Sequence, residues 1–79
     1  MDNPLKIREV NFDKPENYTI NIIDANGKLI KSFDGYSTMG ANEVNWNVTD
    51  TANNRVSVGN YFAIIQVGDR IQTISIIVQ

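Results

Sequence analysis

Apolar and polar residues alternate along most of this chain, which is the pattern of β-strands with one buried and one exposed face. The clearest case is segment 42–48, where Val44, Trp46 and Val48 share one face and polar residues occupy the other. No window places apolar residues at the spacing of a helical stripe. The sequence therefore predicts an all-β fold.

Turn-forming residues divide this alternation into short strands. We predict strands at residues 5–12, 18–24, 28–33, 42–48, 60–67 and 70–78. Asn26-Gly27 and Gly68-Asp69 are tight-turn dipeptides, and a change of apolar phase near Arg8 indicates a bulge. Strands of this length and spacing favour an antiparallel β-sandwich of about seven strands, with a half-open barrel as the alternative.

The chain has 79 residues, which leaves room for one hydrophobic core. We expect residues 1–79 to be a single domain excised from a larger protein, with Met1 an added initiator. Because the first residues lack a basic start and an apolar segment, any export signal is expected further upstream. Trp46 is the single tryptophan and is predicted to anchor the core.

Several functional classes are disfavoured by composition. The chain has no cysteine and no histidine, which removes disulfides, thiolate metal sites and the usual general base. A net charge of -2 offers no electrostatic attraction to nucleic acid or to an anionic membrane. No apolar run approaches the ~20 residues of a membrane-spanning helix. We therefore expect no cofactor, no nucleic-acid partner, no membrane span and no enzymatic activity.

Carboxylates offer two weak alternatives to a purely structural domain. Asp24, Asn26 and Gly27 could suggest a calcium loop, but they supply too few oxygen ligands and a hairpin turn explains all three. The other candidate carboxylates fall at separate predicted turns, without the facing pair that a glycosidase needs: Asp34, Asp50 and Asp69.

The segment Gly59-Asn60-Tyr61 opens an apolar strand. Immunoglobulin-like sandwiches often place a tyrosine there, with its hydroxyl bonded back to the preceding connection. Gly59 would allow a backbone conformation closed to other residues. We interpret the segment as architecture first and as a recognition mark only secondarily.

The last predicted strand is long and apolar, contains no proline and carries one charge, on Arg70. At the edge of a sheet such a strand could pair with a partner strand or with a second copy. Paired on both sides, it would simply be a central strand. We favour the central position.

Three segments together resemble a known family: DANGK at 24–28, GANEVNW at 40–46 and GNY at 59–61. Their order and spacing are similar to those of the immunoglobulin-like domain of flagellar hook-capping proteins. They are equally similar to the C-terminal sorting domains of the type-nine secretion system in Bacteroidetes-type bacteria. The resemblance extends from residue 3 to the end of the chain.

This resemblance implies that the all-β fold is an immunoglobulin-like antiparallel β-sandwich. It also implies a non-catalytic recognition domain at the C-terminus of a secreted or surface bacterial protein, with the outer membrane as its destination. Its partners would be the secretion machinery or upstream domains of the parent protein. The motif residues that would carry recognition are Asp24, Gly27, Lys28, Gly59 and Tyr61. Thr51, within Asp50-Thr51-Ala52, resembles an O-glycosylation acceptor of such proteins.

Two alternative functions stay open. Sorting domains usually carry a lysine in the last strand, and segment 71–79 has none, which leaves a structural assembly module of the hook-capping type as an alternative. A carbohydrate-binding module is the other, with Tyr36 and Trp46 as its candidate platform residues.

Overall fold

The computed structural model describes the backbone of residues 5–79 and the side chains of residues 11–43 and 45–79. Residues 1–4, including Met1 with its predicted role as an added initiator, and the side chains of residues 5–10 and of Val44 lie outside the described part. The strands are β1 (Leu5–Phe12), β2 (Asn17–Asp24), β3 (Leu29–Tyr36), β4 (Gly40–Trp46), β5 (Gly59–Val67) and β6 (Arg70–Val78). An isolated antiparallel bridge joins Thr49 and Arg55. The predicted antiparallel β-sandwich is confirmed.

The strands form two antiparallel sheets. β1 and β4 make a two-stranded sheet, and the larger sheet has the order β3-β2-β5-β6. The β5–β6 hairpin keeps an unbroken register from Gly59 opposite Val78 to Val67 opposite Arg70. The β1–β4 register shifts between Lys6 and Arg8, where the sequence predicts a bulge.

One core lies between the two sheets. Because strand side chains alternate between faces, every second residue of β2 and β5 points inward. Trp46 from the smaller sheet meets Tyr61 from the larger one, with ring centroids 5.6 Å apart in an edge-to-face arrangement. The buried apolar residues are Phe12, Ile20, Ile22, Trp46, Val48, Tyr61, Ala63, Ile65, Val67, Ile76 and Val78.

Two predicted strand ends are wrong. β3 continues to Tyr36 instead of ending at residue 33. Just beyond it, the Ser37 N–H donates to the Glu16 carbonyl at 2.9 Å. This bond holds the segment after β3 against the segment before β2, past the predicted turn. β4 ends at Trp46 because Val48 has a φ of 63°, outside the extended range.

The predicted central position of the last strand is also wrong. β2 and β5 occupy the middle of the larger sheet, and β6 lies at its edge. Its apolar character has another cause, because Ile76 and Val78 point into the core from the edge. An alternating strand with one buried face looks the same in sequence at either position.

Within residues 5–79, the structure has no helix that is long and apolar enough to cross a membrane.

Candidate recognition site at one end of the larger sheet

Two family segments that are far apart in sequence meet at one end of the larger sheet. Asp24, the last residue of β2, is the direct cross-strand partner of Tyr61 near the start of β5. The β2–β3 turn therefore lies beside the connection that enters β5. We call this region, residues 24–28 and 57–61, the motif end.

The β2–β3 turn is held by the carboxylate of Asp24. Its Oδ1 accepts hydrogen bonds from the N–H groups of Asn26 and Lys28, both at 2.9 Å. The Gly27 N–H donates to the Asp24 carbonyl at 3.0 Å, and Gly27 has a φ of 86°. The described residues contain no group of three or more carboxylates that could hold a metal ion. Asp24 thus serves its own turn.

Tyr61 is fastened to the connection that precedes β5. Its hydroxyl donates to the Ser57 carbonyl at 2.7 Å, and 6% of the residue is exposed. Gly59 between them has a φ of 151°, a conformation that residues with a Cβ rarely adopt. A partner molecule could reach little of the tyrosine ring, so its visible role in this structure is architectural.

Trp46 lies directly beneath the motif end, against Tyr61. Only 1% of it is exposed, and its indole N–H donates to the Thr49 carbonyl at 2.9 Å. This bond needs the chain to turn back after β4, which the positive φ of Val48 accomplishes. The indole is therefore closed to any ligand.

Thr51 lies on the loop that follows this turn, against the start of β3. Its N–H and its hydroxyl both donate to the Ile30 carbonyl, each at 3.1 Å. The residue is exposed. Asp50, beside it, accepts a bond from the Asn54 N–H at 2.9 Å, so its carboxylate closes a local turn.

Most residues of the motif end are exposed, and they include one cation, Lys28. Asn26, Lys28 and Asn60 are exposed there, as is Val58 at 73%. The Lys28 ammonium has no hydrogen bond or ion pair with the described residues. Of the five proposed motif residues, Lys28 is the one whose side chain the fold itself does not use.

The remaining sequence candidates are dispersed. Asp34 is exposed within β3 and not in a turn as predicted, whereas Asp69 occupies the β5–β6 turn. Tyr36 is 67% exposed at the opposite end of β3 from the motif end. With Trp46 buried, the two aromatic residues do not form a platform for a sugar.

Sequence reasoning missed Ser37, whose hydrogen bonds hold the end of β3 against the start of β2. It is 2% exposed, and its hydroxyl bonds with both the N–H and the carbonyl of Glu16, at 3.2 and 3.1 Å. A serine in a polar connection carries no periodic signal, so only the fold reveals this contact.

Comparisons with known proteins agree with this architecture. FlgD from P. aeruginosa has a similar structure, with a TM-score of 0.67 and 18% sequence identity. The alignment covers 92% of this chain and 58% of that FlgD chain. At this identity the likeness concerns the fold alone. No curated protein matches the sequence.

A protein family matches almost the whole chain. It is described as the secretion system C-terminal sorting domain, and the match runs over residues 3–79. Domains of this family act as C-terminal signals for type-nine secretion and are, in general, not enzymes. The chain therefore belongs to the family of secretion system C-terminal sorting domains.

Proposed function

We propose that the type-nine export machinery recognises this domain at its motif end. The attached protein is then carried across the outer membrane to the cell surface. One observation carries this proposal: the motif segments around Asp24 and Tyr61 are 37 residues apart in sequence, yet they are adjacent cross-strand partners. A receptor can contact both motif segments at one binding surface only if the folded domain brings them close together.

The different roles of the side chains at the motif end support a docking role for Lys28. Asp24 and Tyr61 use their polar atoms for internal hydrogen bonds, whereas the Lys28 ammonium extends from a rigid turn into solvent. A fixed turn presents a charge at low entropic cost, which favours association with an acidic partner surface. We therefore assign the contact with the machinery to Lys28 and the exposed backbone around it.

Catalysis is no part of the proposed function. The carboxylates Asp24 and Asp50 are engaged in their own turns. The described residues contain no cluster of metal-binding side chains, and the whole sequence lacks histidine and cysteine.

The test is a reporter joined to the N-terminus of this domain, with its own inner-membrane export signal, in a bacterium that has the type-nine system. We expect the reporter at the cell surface, and we expect Lys28→Glu to leave it in the periplasm. Lys14→Glu is the matched control, because Lys14 is exposed in the β1–β2 turn at the other end of β2. Surface display is read by protease accessibility on intact cells.

Equal export of the Lys28→Glu and Lys14→Glu fusions would contradict the role of the motif end. Retention of the unchanged fusion in the periplasm would contradict sorting itself and would favour a structural assembly module.

A further inference from the structure

The two edges of the larger sheet differ in how far other parts of the chain cover them. The β3 edge is covered at its start by the 49–51 loop, because Thr51 donates two hydrogen bonds to the Ile30 carbonyl. Lys31 extends from the same strand to the Thr49 hydroxyl at 3.1 Å. At the other edge, β6 pairs with β5, and no other described strand or loop forms a backbone hydrogen bond with it.

β6 lacks the features by which edge strands usually avoid pairing with other chains. It has nine residues and no proline, and its register with β5 contains no bulge. Its one charged residue, Arg70, stands at its first position, where the guanidinium lies 3.7 Å from the Glu16 carboxylate. The rest of the strand therefore offers an open row of backbone donors and acceptors without charge repulsion.

The exposed side chains of β6 are arranged symmetrically about Ile74. Ile71 and Ile77 lie three residues to either side of it and are 64% and 66% exposed. Thr73 and Ser75 lie one residue to either side, and both are exposed. All four occupy the outer face of the sheet, opposite the face that carries Ile76 and Val78.

We propose that two copies of this chain pair antiparallel through their β6 edges, with the two-fold axis passing beside Ile74. Ile71 of one copy then lies opposite Ile77 of the other, and Thr73 lies opposite Ser75. Directly opposed residues point to the same side of a sheet, so both exposed isoleucine pairs form on the outer face. A two-fold contact of this kind closes on itself.

A second copy fits this edge because of this symmetry. A strand register shifted by two residues would separate both isoleucine pairs, and a register shifted by one would turn them to opposite faces. In the centred register the two Arg70 residues lie at opposite ends of the paired strands. The product is one continuous eight-stranded sheet, and its formation is independent of recognition at the motif end.

The first test is the mass of the chain in solution by analytical ultracentrifugation over a range of concentrations. We expect a monomer that becomes a dimer as concentration rises, and we expect Thr73→Lys to remain monomeric. In that variant two like charges face each other diagonally across the axis. Thr19→Lys is the matched control, because Thr19 is exposed on the same face of central strand β2.

The register has its own test, because the chain contains no cysteine. Thr73→Cys and Ser75→Cys variants are mixed under mild oxidation. We expect a disulfide-linked heterodimer, since the two cysteines are opposite each other, and much less linkage when either variant is oxidised alone.

Three results would overturn the proposal: an unchanged chain that stays monomeric at the highest soluble concentration, a Thr73→Lys variant that still dimerises, or equal linkage in the mixed and single samples. A dimer made by exchanging β6 between copies would give the second result. Intrinsic fluorescence of Trp46 confirms that each variant is folded.

Discussion

Gly35 shows how tightly a single position can be constrained by a partner across the sheet. It lies directly opposite Tyr18, and a Cβ at Gly35 would come 2.6 Å from the Tyr18 hydroxyl oxygen and 2.7 Å from Cζ. The ring is half-buried and packs against the core beside Phe12. It cannot move away without losing those contacts.

Gly35→Ala should therefore destabilise the domain. Replacing a strand glycine with alanine ordinarily stabilises by ~0.5–1 kcal/mol, but overpacking against a fixed side chain costs about 1–3 kcal/mol. We expect the clash to dominate in urea unfolding. In a Tyr18→Ala background the same substitution should become neutral or stabilising, and a cost that persisted there would rule out the ring as its cause.

Neighbouring residues of β6 allow a matched test of the edge strand. Ile76 is 6% exposed and faces the core, while Ile77 is 66% exposed on the outer face. Ile76→Ala should lower the free energy of unfolding by ~2–5 kcal/mol, enough to unfold much of so small a domain. Ile77→Ala should change it by no more than ~0.5 kcal/mol. Both are measured by urea unfolding at low protein concentration, and similar costs would mean that β6 does not have one buried face.

The strands were predictable where alternation and turn chemistry act locally. β1 and β6 occupy the predicted ranges, and the Asn26-Gly27 turn joins β2 to β3 as expected. The misses have tertiary causes. The extension of β3 depends on the contact between Ser37 and Glu16, and the edge position of β6 depends on the order in which hairpins join. Neither the contact nor the strand order changes the alternation of apolar and polar residues in the sequence.

The candidate site was predictable by its residues but not by its assembly. The motif segments around Asp24 and Tyr61 stand out from their turn chemistry, yet their adjacency follows only from the pairing of β2 with β5. Which motif side chain stays unengaged could likewise not be read from sequence. Only the folded turn shows that the Asp24 carboxylate accepts two hydrogen bonds, whereas Lys28 takes part through its backbone N–H alone.

The whole molecule depends on one core shared by two sheets. Trp46 belongs to the smaller sheet and Tyr61 to the larger, and their rings are 5.6 Å apart. The two-stranded sheet is at best marginally stable alone in water, and without it the core residues of the four-stranded sheet would be exposed to water. Neither sheet should therefore persist after the other has opened. A single core in a domain of this size rarely supplies more than about 3–5 kcal/mol of stability.

Urea should therefore unfold the domain in one cooperative step. Trp46 is 1% exposed, so its emission should be blue-shifted in the native state and should move to longer wavelength as the core opens. Far-UV circular dichroism follows the strands of both sheets. Because the indole lies between the sheets, the two signals should give the same midpoint and slope. A fluorescence change that preceded the loss of strand signal would mean that the sheets separate before they unfold.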